Sequence, residues 1–303
     1  TGVCQGCLLS PILFALAIDW VLKKATKDQG IQWLEGQKLS DLDFADDIAA
    51  LAETTRDLQS LVSEIGTSAA SIGLNISAKK TKNMLAGTHP PPTSVYIDQK
   101  EVEVVDNFTY LGSSINSNGD MDKELDCRVG KAAAAFNQLG KIWRSKKFSL
   151  KTKMRFYNSN VLSTLLYGCE TWHMKTSQEK KLDAFDSKCI RKILGIRWSD
   201  FITNEEVRTR AKQRPVSSII CKRRLSWLGH VARLPPERLA NRVLQWNPQG
   251  QRRRGRPKMN WRQTIDRDLQ MVNRRWSDAL RVAADRARWS TLTASCVARR
   301  GSN

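Results

Sequence analysis

Two adjacent carboxylates, Asp46 and Asp47, follow Phe44 and Ala45 and lie between Leu39, Leu42 and Phe44 on one side and Ile48, Ala49 and Leu51 on the other. Apolar residues alternating on both sides of a short polar pair predict a β-hairpin over 39–52 with the carboxylates at its tip. Neighbouring strand side chains point to opposite faces, but at a tip that alternation relaxes. Both carboxylates can then reach one volume of solvent. Two such charges repel each other at neutral pH unless a cation lies between them. A hard divalent cation, Mg²⁺ above all, is held through one or two carboxylates together with substrate phosphates. Asp-Asp alone reads more readily as the tip of a solvated turn, so its surroundings decide.

Those surroundings are unevenly charged. The 303 residues carry a net charge of +20. Residues 1–120 hold 9 Lys and Arg against 15 Asp and Glu, whereas 121–303 hold 41 against 15, a net of +26. An acidic first part beside a strongly basic second part suits a cation site next to a polyanion-binding surface. The length suffices for two domains with real cores. The longest apolar run, Leu8 to Leu22, is interrupted by Ser10, Pro11 and Asp19 and is too short to span a bilayer, so no membrane partner is expected. Seven scattered cysteines and no secretory signal imply thiols in a reducing, intracellular compartment. Cys4 and Cys7 have metal or redox spacing without a second pair nearby, and Cys169 and His173 share a helical face without further partners. The chain starts at Thr1, without Met, and runs straight into a helical pattern, which reads as a cut edge.

The elements that must position the pair follow from patterning. Ser10-Pro11 reads as an N-cap and first helical residue, with Ile12, Leu13, Leu16, Ala17, Trp20 and Val21 as the apolar stripe. A second helix begins at Thr54 or Thr55, turns Leu58, Leu61, Val62, Ile65 and Ala69 inward and stops at Gly73. Asn75 to Ala86 reads as extended, Val95 to Val105 as a second hairpin around Asp98-Gln99-Lys100, and Phe108 to Gly112 as a strand ending in a turn. From Met121 the pattern is helical almost to the end. Ser149, Ser177 and Thr203 are expected caps, and Pro248 to Pro257 an expected linker. Two final helices are expected at 259–273 and 277–297.

Four motifs in order carry a family resemblance. Gly2 to Pro11 (GVCQGCLLSP) resembles the motif that precedes the active-site hairpin in reverse transcriptases of non-LTR, LINE-type retrotransposons. Phe44-Ala45-Asp46-Asp47 resembles their catalytic hairpin, Gly73-Leu74-Asn75 through Lys80-Thr81-Lys82 the next motif, and Phe108 to Gly112 the primer grip. Leu165 to Trp172 (LLYGCETW) and Arg223 to Ala232 (RRLSWLGHVA) are similar to the region that follows in the same elements. The resemblance implies an α+β fold: a partial polymerase palm, a sheet with packed helices, over 1–118, a helical thumb over 119–200, and a basic helical C-terminal region over 201–303 with a linker near 247–258. It implies RNA-directed DNA polymerisation by two-metal transfer, with Mg²⁺ (or Mn²⁺), dNTPs, an RNA template and a DNA primer or target. Asp46 and Asp47 would be the catalytic metal ligands, and Lys80 the cation or acid at the leaving pyrophosphate. Gln5, Gly6, Phe44, Ala45, Lys82, Tyr110, Leu111 and Gly112 would contact substrate. Family members need one more Asp, on a strand ahead of the first motif, and this chain begins after that point. Alone it is therefore expected to be inactive, a C-terminal fragment holding half of a metal site. The rival reading is a nucleic-acid-binding remnant without catalysis.

The basic half can bind nucleic acid without that site. Arg252-Arg253-Arg254-Gly255-Arg256-Pro257-Lys258 resembles an AT-hook core, whose arginines enter narrow minor grooves. The same residues read equally as a nuclear-localisation patch, which would place the protein in the nucleus, or as a solvated linker. Arg223 and Arg224 are expected on the same binding surface. Eight of the ten tryptophans fall after residue 121. A tryptophan at helical spacing is usually core, so one or two are expected outside to stack on bases.

Overall fold

The computed structural model describes residues 6–26, 29–34, 36–86, 94–246 and 259–301. Contacts divide the chain once, into Thr1–Asp120 with Trp246–Gln251 and Met121–Gln245 with Arg252–Asn303. The expected boundary at 200 falls inside the second unit. Mixed helices and small sheets agree with an α+β chain.

The first unit is built on two helices, α1 (Ser10–Ala25) and α2 (Thr55–Ala70). Strands β1 (Ile31–Leu34) and β2 (Gln37–Leu39) form one hairpin, and β3 (Asp41–Phe44) and β4 (Asp47–Ala50) the next. After α2 come β5 (Lys82–Asn83), β6 (Tyr96–Ile97), β7 (Lys100–Glu101), β8 (Glu103–Val104), β9 (Asn107–Tyr110) and β10 (Ser113–Asn116). Every sheet among the described residues has two strands. β6–β7 and β9–β10 are hairpins, and β5 pairs with β8 in parallel. The core is Ile18, Val21, Leu22 and Ala25 of α1 against Leu61, Ile65 and Ala69 of α2, with Ile48 and Ala50 of β4 packed onto it. One face of the carboxylate hairpin thus rests on the helix pair, as its patterning predicts. Thr54 caps α2 by accepting from the Asp57 amide at 3.1 Å.

Three expectations in this unit need correction. Ser10 lies inside α1 and does not cap it; the residue before the helix is Leu9, which makes no side-chain cap. The buried face of α1 is not the expected stripe, because Ile12, Leu13, Leu16 and Trp20 are exposed. The helix is apolar almost all round, so periodicity could not choose its inner face. Asn75 to Ala86 is extended only at β5, since Ala78 to Lys80 form a turn closed by the Lys80 amide on the Ser77 carbonyl at 3.0 Å.

The second unit is helical: α3 (Asp122–Gln138), α4 (Gly140–Arg144), α5 (Leu150–Phe156), a π-helical stretch Tyr157–Leu162, α6 (Ser163–Leu165), α7 (Thr176–Leu194), α8 (Asn204–Ala211), α9 (Val216–Ala232), α10 (Leu239–Gln245), α11 (Trp261–Gln270), α12 (Trp276–Ala283) and α13 (Arg286–Gly301). Helix α9 explains why 201–303 is not a separate body. Val216 and Ile220 belong to the core built on α3, α5 and α7, whereas Leu225, Leu228 and Val231, on the same helix, belong to the core built on α11, α12 and α13. The expected Ser177 cap is displaced: α7 starts at Thr176, and the Lys175 amide donates to Gln178 Oε1 at 2.8 Å. The expected helix 277–297 is interrupted, because Asp285 accepts from the amides of Ala287 and Arg288 and so starts α13 within the periodic run. No helix of the described residues is long and apolar enough to cross a membrane.

The core of this unit holds a titrating acid. Asp186 of α7 is fully buried and accepts a hydrogen bond from the Tyr157 hydroxyl at 2.7 Å, while its other oxygen has no partner. Burial pushes its carboxyl up to about 7; the Tyr157 bond and Arg208 oppose the rise and Asp183 adds to it. A folded pKa above the unfolded one near 3.8 means that the fold favours the protonated acid. That contribution is complete below pH about 4 and is lost as pH rises through about 7, on the order of 4 kcal/mol. Asp186→Asn keeps the acceptor for Tyr157 and removes the titration. Urea unfolding should therefore show Asp186→Asn gaining on wild type between pH 4 and 8. A difference that stays flat across that range contradicts the assignment.

Candidate active site

The carboxylate hairpin closes with a two-residue tip. Phe44 pairs with Asp47 across the ladder, leaving Ala45 and Asp46 as the turn, and Ala45 adopts a left-handed φ of 56°. A left-handed first turn residue matches the right-handed twist of the flanking strands. Phe44, Ala45, Asp46 and Asp47 are all exposed. Phe44 and Asp47, directly opposite, share the face away from Ile48 and Ala50.

The β9–β10 hairpin supplies the second part. Tyr110 pairs with Ser113, and Leu111 and Gly112 form the turn with φ of 47° and 79°. Two consecutive left-handed residues define a type I′ turn, in which glycine sits at no cost and leucine under strain. Leu111 is exposed, so its side chain is not core. The Tyr110 hydroxyl donates to the Leu42 carbonyl oxygen at 3.1 Å and so ties this hairpin to the carboxylate hairpin. Partial burial, then the negative charges of Asp47 and Asp43, hold the Tyr110 hydroxyl above its ordinary pKa. The structure thus brings Asp47, Asp43 and Tyr110 into one electrostatic neighbourhood. Asp43 was missed from sequence, although the alternation Asp41, Asp43 ahead of Phe44 was available as a signal.

Other expected residues are placed differently. Gly6 is exposed with φ of 89°, a conformation that costs glycine nothing, and lies just before α1; Gln5 lies outside the described residues. Lys80 is exposed on its turn and makes no ion pair among the described residues. Lys82 is not a free cation, because its ammonium is paired with Glu103 on the neighbouring strand. Asp46 and Asp47 fit a divalent cation as two exposed hard oxygen donors. Among the described residues no cluster of three His, Cys, Asp or Glu forms a closed metal site, so substrate phosphates or water would complete the coordination.

The nucleic-acid residues expected on α9 need correction. Arg224 is 0% exposed, and its Nε donates to Asp268 at 2.8 Å. Arg224 Nη2 lies 3.9 Å from Glu179, which also receives a bond from Arg267 at 2.6 Å. An arginine so enclosed reaches no phosphate and instead joins α7, α9 and α11. Arg223 donates to the Leu166 carbonyl at 3.0 Å and faces Glu170 at 3.8 Å. Trp261 donates to the Glu170 carbonyl at 2.8 Å. The stretches 165–172 and 223–232 are therefore two halves of one structural clamp. Arg252, Arg253, Arg254, Arg256 and Lys258 lie outside the described residues.

Residues 1–115 match a family model described as reverse transcriptase (RNA-dependent DNA polymerase), and 135–167 match a domain of unknown function. A transposon-derived protein of Caenorhabditis elegans is 27% identical over 256 residues, 82% of this chain and 86% of that protein. The Pol polyprotein of the type-1 retrotransposable element R2 of Nasonia vitripennis is 31% identical over 136 residues, 41% of this chain. That of Popillia japonica is 24% identical over 204 residues, 63% of this chain. The aligned parts are 13% and 32% of those two polyproteins, so the chain spans less than a third of either. The chain is thus similar to the reverse transcriptases of non-LTR retrotransposons, and the match to the family model is carried by residues 1–115.

Proposed function

We propose that this chain supplies the catalytic hairpin of a LINE-type RNA-directed DNA polymerase, which extends a DNA primer on an RNA template from dNTPs. The observation that carries the reading is the exposed pair of Asp46 in the turn and Asp47 beside it at the end of β4, on a hairpin tied through Leu42 to the Tyr110 hairpin. Asp46 and Asp47 would hold Mg²⁺ or Mn²⁺, which when bound polarises a phosphoryl oxygen and lowers the charge repulsion between the reacting groups. The protein's own residues do the positioning. The helix pair under Ile48 and Ala50 fixes the tip, and a site on packed elements is more precise than one on a free loop. Leu111, strained and exposed beside Tyr110, would press on the primer end. Lys80, uncommitted on its turn, is placed to meet triphosphate oxygens, a role Lys82 shares only by leaving Glu103.

The test is primer extension by a polypeptide that contains this chain together with a strand carrying the further Asp that the resemblance implies. A DNA primer on an RNA template should be extended with dNTPs, in the order the template dictates. Absence of incorporation, or incorporation without a template, overturns the polymerase reading. A second reading, a nucleic-acid-binding protein without polymerase activity, is favoured by the +26 carried by residues 121–303, and predicts binding with no incorporation in the same reaction.

A further inference from the structure

The end of α7 and the loop after it carry a feature that neither the hairpins nor the clamp uses. Helix α7 closes at Gly195 with φ of 71°, and a single 3₁₀ turn, Trp198–Asp200, leads toward α8. The turn is held in place: the Arg197 amide donates to Asp200 Oδ2 at 2.7 Å, and the Arg191 guanidinium donates to the Ile202 carbonyl and, at 3.1 Å, to Asn204 Oδ1. Phe201 takes a left-handed φ of 52°, which a bulky residue rarely adopts. Trp198 is 88% and Phe201 83% exposed, with ring centroids 5.8 Å apart. Each ring stands in water where burial would be favourable. Strain, anchoring and exposure together point to a ligand.

The loop starts and ends at the wall of a groove of about 360 Å³, since Ile196 and Asn204 line it together with Ser187, Lys188, Arg191 and Lys192. Ser187 contributes only its buried edge to the wall. Lys188, Lys192 and Arg197 are exposed and form no ion pair among the described residues. The nearby acids are engaged: Asp200 on the Arg197 amide, Glu205 with Arg208 and Glu206 with Arg210. The groove therefore presents positive charge at the base of the loop that carries the two exposed aromatic rings. Phosphates need the first and unstacked bases the second. A base pair inside a duplex offers no open face to stack on exposed rings.

We propose that this groove binds single-stranded nucleic acid, with backbone phosphate between Lys188, Arg191 and Lys192 and successive bases stacked on Trp198 and Phe201. The assignment rests on the chain handling nucleic acid but not on its polymerising. The test is anisotropy titration of the full chain, in an Asp46→Asn background without divalent cation or dNTP. The probes are a labelled uridine 12-mer, a thymidine 12-mer and a 12-base-pair duplex. Trp198→Ala with Phe201→Ala should weaken the single strands roughly tenfold or more and the duplex less than about twofold. Trp198→Phe should restore most of the loss, and the melting temperature should not change. Lys188→Ala with Lys192→Ala should lower the salt slope by about 0.7 for each phosphate no longer neutralised. The ratio of uridine to thymidine affinity tells whether RNA or DNA is the preferred strand. Equal losses on duplex and single strand, or none on the single strands, overturn the proposal, while the polymerase reading is decided separately by extension.

Discussion

Gly229→Ala is expected to destabilise the helical unit by about 3 kcal/mol. Gly229 lies on the buried side of α9, where α13 crosses it. A Cβ added there would meet Trp289 Nε1 at 2.1 Å, Cδ1 at 2.3 Å and Cε2 at 2.8 Å. The indole cannot swing into solvent, because it is 4% exposed and its Nε1 donates to the Leu225 carbonyl at 2.9 Å. Admitting one methyl group means parting the helices or expelling the ring and breaking that bond. Alanine's better helix propensity returns only about 1 kcal/mol. The melting temperature should drop by roughly 6–12 °C for a unit of this size. Trp289→Val alone should also destabilise, but Gly229→Ala with Trp289→Val should cost clearly less than the two single changes added together, since the clash is gone. Additive losses would mean that the helices do not meet at this pair.

How much of this was legible in the sequence differs from residue to residue. The hairpin expected over 39–52 was, over 41–50, because its period-2 pattern is local; its turn, however, is Ala45-Asp46, and Asp47, expected at the tip, stands in the ladder opposite Phe44. The hairpin expected over 95–105 was in part: it turns at Asp98 and Gln99, with positive φ of 49° and 61°, but Glu103–Val104 pairs with Lys82–Asn83 instead. Strand β10 was not, because the polar stretch from Asn116 to Asp120 reads as a domain boundary, although Asn116 is itself the last residue of the strand. The inner face of α1 could not be read from a helix apolar on every side. Arg223 and Arg224 misled in the opposite way. Adjacent arginines suggest surface, and nothing local reveals that Asp268, 44 residues on, neutralises Arg224 inside the core. Gly229 is silent for the same reason, since its partner Trp289 lies several helices further along. The expectation that one or two tryptophans of the basic half stand outside fits Trp198, with Trp227 partly exposed. The signal that could have singled out Trp198 and Phe201 is an aromatic pair in the polar loop between Gly195 and Thr203, outside any helical stripe.

Asp46→Asn tests the central claim, that the tip of the β3–β4 hairpin holds the chemistry. The change is nearly isosteric and exposed, so the fold should hold to within about 0.5 kcal/mol. What it removes is one formal charge at the position where a cation would be held, and charge stabilisation of a phosphoryl transition state amounts to several kcal/mol. Extension should therefore fall by a factor on the order of 10³ or more. Affinity for primer and template should stay within about twofold, because the change removes a single exposed charge, which salt screens. The decisive measurement is single-turnover incorporation of one templated nucleotide, comparing wild type with Asp46→Asn in the polypeptide used for primer extension. The account predicts templated incorporation by wild type and, in the variant, unchanged primer–template binding with incorporation reduced by on the order of 10³ or more. Wild-type rates from Asp46→Asn would contradict it.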